Sequence, residues 1–298
     1  MRVAITGASG LIGSALVDHL RTHGHEVVKL VRRTAATSDE ISWDPIAGTV
    51  DLRAFQGIDG VVHLAGAGVG DHRWSDQYKR EILDSRVNGT NTIVNAMLQL
   101  DPQPRVLISG SAIGWYGDTA NRAVDETAPA GSGFLADVVQ AWEAATAPAQ
   151  EAGIRVVRAR TGLVVAKHGG AWARMFPLFK MGVGGKLGNG KQYWSWISLR
   201  DEVAALAFCL TNESIHGAVN LTGPTPQTNA EVTKAMGKVM GKPTLLPAPA
   251  AALKIALGEF STEVLGSSRV LPDVLTESGF TWQDPTIDDA IRTAWQSR

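Results

Sequence analysis

Met1-Arg-Val-Ala-Ile-Thr-Gly7-Ala-Ser-Gly10-Leu-Ile-Gly13 opens the chain, and its reading decides the fold. Val3, Ala4 and Ile5 read as a short buried strand. Glycines then recur at intervals of three, and Ser14-Ala-Leu-Val-Asp-His-Leu20 follows with apolar residues at helical spacing. Strand, glycine turn and helix in that order present the free N–H groups of a helix N-terminus to a dinucleotide pyrophosphate. Gly7 allows the tight turn, Gly10 lets the backbone approach phosphate, and Gly13 lets the helix pack close to the strand. Ser9, Leu11 and Ile12 lie between and beside these glycines. The alternative is an ordinary strand-to-helix turn. The strand before the glycines and the helix after them favour the dinucleotide site.

The next strand, Glu26-Val-Val-Lys-Leu-Val31, ends in Arg32-Arg33. An acidic residue about twenty positions past the glycines would bind the adenosine ribose hydroxyls of NAD. Two arginines stand in that region instead, and guanidinium groups match a 2′-phosphate through paired hydrogen bonds. The expected cofactor is therefore NADP(H), with Arg32 and Arg33 as candidate phosphate readers. The alternative reading is a solvated basic loop.

Working outward, Ile41-Ser-Trp-Asp44 reads as an edge strand, and Gly57-Ile-Asp-Gly-Val-Val-His-Leu-Ala-Gly66 as a loop, a strand and a glycine exit, with Leu64-Ala-Gly66 beside the first strand, over the adenosine side of a cofactor. His63 has no ligand-spaced partner and reads as structural. Trp74 to Leu100 has the apolar stripe of a long helix, Val106 to Ser111 is a strand, Phe134 to Gln150 a helix and Ile154 to Arg160 a strand. Strands alternating with helices predict an α/β, Rossmann-type, doubly wound parallel sheet. Past residue 165 the pattern loosens into glycine-punctuated segments. Gln192 to Ile197 alternates like a strand, Asp201 to Leu210 reads as a helix, and Asn229 to Met240 as a helix capped by Asn229. The expected division is a cofactor-binding domain over 1–165 and a smaller α/β substrate lobe over 166–298, interleaved with the sheet.

Composition sets outer bounds. The 298 residues are 44% apolar and 19% charged, ordinary for a globular enzyme. A formal net charge of −1 gives no global reason to expect nucleic acid or an anionic membrane as partner. Cys209 is the only cysteine, so internal disulfides and cysteine metal sites are excluded. No signal peptide and no membrane-length apolar run is recognised, which leads to the expectation of a cytoplasmic protein with no bound metal.

Thr6-Gly-Ala-Ser-Gly-Leu-Ile-Gly13, His63-Leu-Ala-Gly66, Ser85-Arg-Val-Asn-Gly-Thr90, a strand ending in Ser111 before Trp115-Tyr-Gly117, and Trp196-Ile-Ser-Leu-Arg-Asp201 occur in that order. Together they resemble the extended short-chain dehydrogenase/reductases, the superfamily of nucleotide-sugar epimerases and dehydratases. More narrowly, the chain is similar to that superfamily's atypical branch of epimerase family proteins. Residues from Leu246 through Leu257-Gly-Glu259, Val270-Leu-Pro272 and Gly279-Phe280 resemble the branch's C-terminal module, of the DUF1731 kind. The resemblance implies cofactor contacts at Gly7 to Gly13, Arg32, Leu64, Ala65, Glu81, Arg86 and Val164, and it allows a homodimer.

It also exposes a departure. Working members of the superfamily carry a Tyr-x-x-x-Lys pair on the helix after Ser111, the tyrosine moving a proton and the lysine lowering its pKa. The corresponding stretch, Phe134 to Glu143, has neither. Ser111 aligns with the substrate-orienting hydroxyl, and Tyr116 is the nearest remaining phenol. Both are candidate catalytic residues, Tyr116 as general acid/base, against the alternative that it packs beside Trp115. Tyr193, Trp194 and Trp196 would suit a sugar-like or flat substrate if they line a pocket, and Lys180, Lys186 and Lys191 a phosphorylated one. Two functions stay open: an NADP(H)-dependent oxidoreductase or epimerase-like enzyme on a small carbonyl or sugar-like substrate, and a non-catalytic NADP(H)-binding sensor.

Overall fold

The computed structural model describes residues 1–297. In its first half, strands β1 (Arg2–Thr6), β2 (Glu26–Val31), β3 (Glu40–Asp44), β4 (Thr49–Val50), β5 (Gly60–His63) and β6 (Val106–Ala112) alternate with helices α1 (Leu11–Thr22), α2 (Leu52–Phe55) and α3 (Asp76–Leu98). β7 (Ala123–Val124), α4 (Phe134–Ala144), α5 (Ala147–Glu151), β8 (Arg155–Thr161) and β9 (Leu163–Val165) lead out of it. The helix expected over Phe134 to Gln150 is broken in two. Pro148 lacks an N–H and fits only the first turn of a new helix, so α5 starts afresh at Ala147.

The second half adds α6 (Trp172–Lys180), β10 (Tyr193–Trp194), β11 (Trp196–Ser198), α7 (Leu199–Thr211), β12 (Gly217–Leu221), β13 (Gln227–Thr228) and α8 (Asn229–Met240). It ends with α9 (Ala250–Leu257), α10 (Ser261–Leu265), β14 (Arg269–Val270), α11 (Asp273–Glu277) and α12 (Ile287–Gln296). Eight strands form one sheet in the order β12-β8-β6-β5-β1-β2-β3-β4. Every pairing in it is parallel except β3 with β4. The chain runs outward from β1 in one direction and from β5 in the other, so the strand order reverses between them. That is the crevice where doubly wound sheets bind ligands.

Side chains alternate across the sheet as a two-residue period requires. Val3, Ile5, Val106 and Ile108 pack with Leu16 and Leu20 of α1 and Val203 and Leu206 of α7. Ala4, Val61 and Leu107 pack on the opposite face with Ile93, Val94 and Met97 of α3. Because α7 and β12 return to this sheet, a boundary at residue 165 does not separate the sheet from the lobe.

The lobe has its own aromatic core. Trp172, Phe176, Trp194 and Trp196 are buried with Val232, Met236 and Ile291. Trp194 and Trp196 thus fill the lobe's interior rather than lining an open pocket. The run Gln192 to Ile197 is not one strand: β10 pairs antiparallel with β13, while β11 pairs parallel with β9. Ser195 turns the chain between them, accepting from Val270 N and donating to Ser268 O, both at 2.8 Å. The cap of α8 is Thr228, whose hydroxyl and Glu231 form a reciprocal capping box. Asn229 instead accepts a bond from Leu187 N at 2.7 Å. The carboxylate of Asp201 accepts from Gln283 N and Asp284 N at 2.8 and 2.9 Å, which locks the C-terminal module onto α7.

Candidate functional site

The glycine turn is constrained from several sides. Gly7 has φ +68°, in the left-handed region, and a Cβ on it would lie 2.9 Å from the carbonyl carbon of Leu64. A Cβ on Gly13 would run into Gly7 O. Gly10 N donates to Gly7 O at 2.9 Å, closing the turn. α1 then begins at Leu11 with no side-chain cap and no acidic residue in its first turn. An anion therefore meets the helix's positive end without a competing protein carboxylate. Gly169 packs over this start, close enough that a Cβ on it would lie 3.3 Å from the Leu11 side chain.

Thr6 ties the turn to β5. Its hydroxyl accepts from Leu64 N at 3.0 Å and Ala65 N at 3.2 Å, so its one proton goes to His63 Nδ1 at 2.7 Å. That fixes His63 as the tautomer protonated on Nε2, and full burial pushes its pKa down to about 4. His63 is a neutral clamp between β1 and β5, as its isolation in the sequence suggested. Leu64, Ala65 and Gly66 lie at the crevice. Arg86 lies against Gly66 and donates to Ala67 O at 2.9 Å and Ile82 O at 3.0 Å. Burial lowers its pKa to about 10, so it remains a cation. Glu81 is exposed on α3, and Val164 is half-buried in β9 beside Ile197 of β11.

The two arginines after β2 are not equivalent. Arg33 makes a two-pronged pair with Glu40, Nη1 to Oε2 at 2.8 Å and Nη2 to Oε1 at 2.6 Å. Arg32 is exposed and makes no side-chain hydrogen bond or ion pair among the described residues.

At the far side of β5 the polar groups are buried and satisfied by one another. Ser111 Oγ donates to Glu143 Oε1 at 2.6 Å. Arg160 holds the same carboxylate with Nε to Oε1 at 2.8 Å and Nη2 to Oε2 at 2.9 Å, and its Nη1 donates to the Tyr116 hydroxyl at 2.9 Å. Tyr116 in turn donates to Asn220 Oδ1 at 2.8 Å, and Asn220 Nδ2 donates to Leu271 O at 2.9 Å. Arg160 also stacks 4.0 Å from the Trp115 ring centroid. Burial pushes the Tyr116 phenol up to about 12. A residue pair four apart does face the turn at Gly114, but it is Leu135 and Val139, with no proton to move. Glu143, Arg160 and Asn220 escaped the sequence reading as members of one group. Their only signal was a carboxylate, a guanidinium and an amide set among apolar neighbours on three separate elements.

The NAD dependent epimerase/dehydratase family model matches residues 3–222. The chain belongs to that family. A domain of unknown function (DUF1731) matches residues 248–294. An epimerase family protein of Mycobacterium leprae is 46% identical over 98% of this chain and 95% of its own. The chloroplastic SDR39U1 homolog of Arabidopsis thaliana is 37% identical over 99% of this chain and 87% of its own. The crystal structure of human epimerase family protein SDR39U1 (isoform 2) with NADPH superposes with a TM-score of 0.91 at 28% identity, covering all of both chains. As a family member, the chain has the Rossmann-type α/β fold expected from its strand order.

Proposed function

We propose that this protein is an NADP(H)-dependent oxidoreductase of the epimerase-like kind, acting on a small carbonyl or sugar-like substrate. Arg32 carries the reading. A guanidinium free of internal partners, just past β2, suits a ribose 2′-phosphate, whereas Arg33 beside it is committed to Glu40. The uncapped start of α1 and the crowded glycines fit the pyrophosphate, and the NADPH bound to the human relative supports the same choice.

Bound there, the cofactor supplies or takes a hydride. The protein's part is to hold the reacting oxygen and handle its proton. Ser111 donates its proton to Glu143, so it offers lone pairs and is set to accept from a substrate hydroxyl. We assign Tyr116 to anchoring Arg160 rather than to acid–base work, because its phenol is buried, its proton is directed to Asn220 and its pKa is raised. This revises the role expected for it from the sequence.

A second reading has its own support. Both hydroxyl protons near Ser111 point inward, which suits a site that binds the cofactor without turnover and reports its redox state. The test is a titration with NADPH, NADP, NADH and NAD, followed by tryptophan quenching and energy transfer, on wild type and Arg32→Ala. NADPH binding that weakens in the variant supports the cofactor site, and failure of all four to bind overturns both readings. NADPH oxidation by any of a panel of carbonyl compounds selects the enzyme. Association with another protein that depends on the cofactor, without turnover, selects the sensor.

A further inference from the structure

Residues 166–200 and 232–258 carry ten Lys and Arg and no Asp or Glu, in a chain whose charges sum to −1. The chain-wide sum thus hides two basic segments within the lobe. Lys180, Lys186, Lys191, Lys234, Lys242 and Lys254 are all exposed, and none forms an ion pair among the described residues.

The same two segments hold most of the exposed large apolar side chains. Leu178, Met181, Val183, Leu245, Leu246 and Ile255 are 46%, 66%, 47%, 82%, 59% and 77% exposed, and elsewhere only Met1 and Ile46 qualify among the described residues. α9, Ala250-Ala-Ala-Leu-Lys-Ile-Ala-Leu257, is apolar but for one lysine and buries none of its residues. A helix apolar on nearly every side that buries nothing lacks its natural surroundings. The segments are joined: Gly188 N donates to Ala248 O at 2.8 Å, Ala248 N donates to Lys186 O at 2.9 Å, and Gly182 abuts Pro243. Lys186 and Lys234 also flank a cavity of about 130 Å³ with Thr233, whose buried hydroxyl has no partner among the described residues.

We propose that this face of the lobe docks on an anionic lipid bilayer. Exposed leucine, isoleucine and methionine enter the headgroup boundary while lysines reach phosphates around them, the division of labour of interfacial helices. No helix among the described residues is long and apolar enough to cross a membrane, so attachment is at the surface. Pairing with a second copy through the same patch would set its lysines against one another. A nucleic acid would satisfy the lysines and leave Leu245 and Ile255 in water. The proposal does not depend on the cofactor site.

The test is co-sedimentation of the full chain with phosphatidylcholine vesicles, with and without phosphatidylglycerol, at low and high salt. Binding is expected to the anionic vesicles and to fall as salt rises. Lys242→Ala with Lys254→Ala should weaken partitioning roughly 25-fold, about fivefold per lysine. Leu245→Ser with Leu246→Ser and Ile255→Ser should weaken it further, whereas Ile46→Ser, at an equally exposed apolar site elsewhere, should leave it unchanged. All these side chains are exposed, and an unchanged unfolding midpoint in each variant shows that the fold is kept. Absence of sedimentation with anionic vesicles at low salt overturns the proposal, as does equal binding by the lysine and serine variants. Capture by immobilised polyglutamate without vesicle binding would overturn it in favour of an acidic protein partner.

Discussion

β1 and β6 flank β5 and end at the same edge of the sheet, yet they finish differently. β1 runs into a turn and a helix start that no side chain caps and whose first turn holds no acidic residue. β6 runs into Ser111, whose proton goes to Glu143, and on through Arg160 and Tyr116 to Asn220, each hydroxyl proton directed at a partner inside the protein. The first place has unspent hydrogen-bonding capacity and is built to receive an anion. The second has spent most of its capacity on itself, leaving the lone pairs of Ser111. The two strand ends share a sheet edge and few side chains, so a change at one need not disturb the other.

The largest expected effect tests the self-satisfied end. Arg160→Met leaves Glu143 buried beside one hydroxyl, and stability should fall by about 3–5 kcal/mol, read from urea unfolding. Glu143→Gln combined with Arg160→Met removes both charges and should recover part of that loss. If the single and double variants cost the same, the pair is not coupled and the contrast between the two strand ends loses its basis.

β5 lies between them and adds a pH dependence. His63 has its pKa lowered to about 4 from 6.5, so its contribution is fully present above pH 6.5 and is lost as pH falls toward 4. At full effect that is about 3 kcal/mol. His63→Asn, which keeps an acceptor for Thr6, should flatten the acid limb of a stability–pH curve. Glu202, fully buried on α7 with Thr161 as its one hydrogen-bond partner among the described residues, has its pKa raised by that burial to about 8. Its contribution is present below pH 4.5 and is lost as pH rises through 8, so Glu202→Gln should flatten the alkaline limb. The two windows overlap between pH 4.5 and 6.5 with slopes of opposite sign, so the two variants should change the slope in opposite senses, and a common shift at all pH values would refute both assignments.

The glycine turn was legible because its constraint is local: three glycines, one strand and one helix within twenty residues state the geometry in full. The sheet followed from the same periodicities, and Thr6 through Gly13 landed where the sequence placed them. The polar group at Ser111 was not legible, because Glu143, Arg160 and Asn220 come from three separate elements up to 104 residues from their partners. Only the fold brings them together. Trp194 and Trp196 read equally well as pocket wall or core until the lobe's packing was known, and Asn229 lost its capping place to Thr228 because the capping box needs Glu231 three residues on. The two basic segments of the lobe were hidden by summation, since a net charge says nothing about where its parts lie.

Within the cofactor end, Arg32 and Arg33 separate capacity kept from capacity spent. Arg32→Ala should raise the Kd for NADPH by about 10- to 100-fold, the worth of hydrogen bonds to a charged group, and leave NADH binding unchanged. Arg33→Ala should have the smallest effect of all. Its fork is already closed on Glu40, whose carboxyl is held down to about 2, first by that hydrogen bond and then by the Ala36 N–H. Removing Arg33 therefore takes nothing from a phosphate directly. It frees Glu40 near the 2′-position, where a carboxylate repels phosphate and favours a bare ribose hydroxyl. NADPH affinity should drop by no more than a few-fold while NADH affinity rises slightly. A loss as large as that of Arg32→Ala would mean that the Arg33–Glu40 pair opens when cofactor binds and that both guanidinium groups read the phosphate.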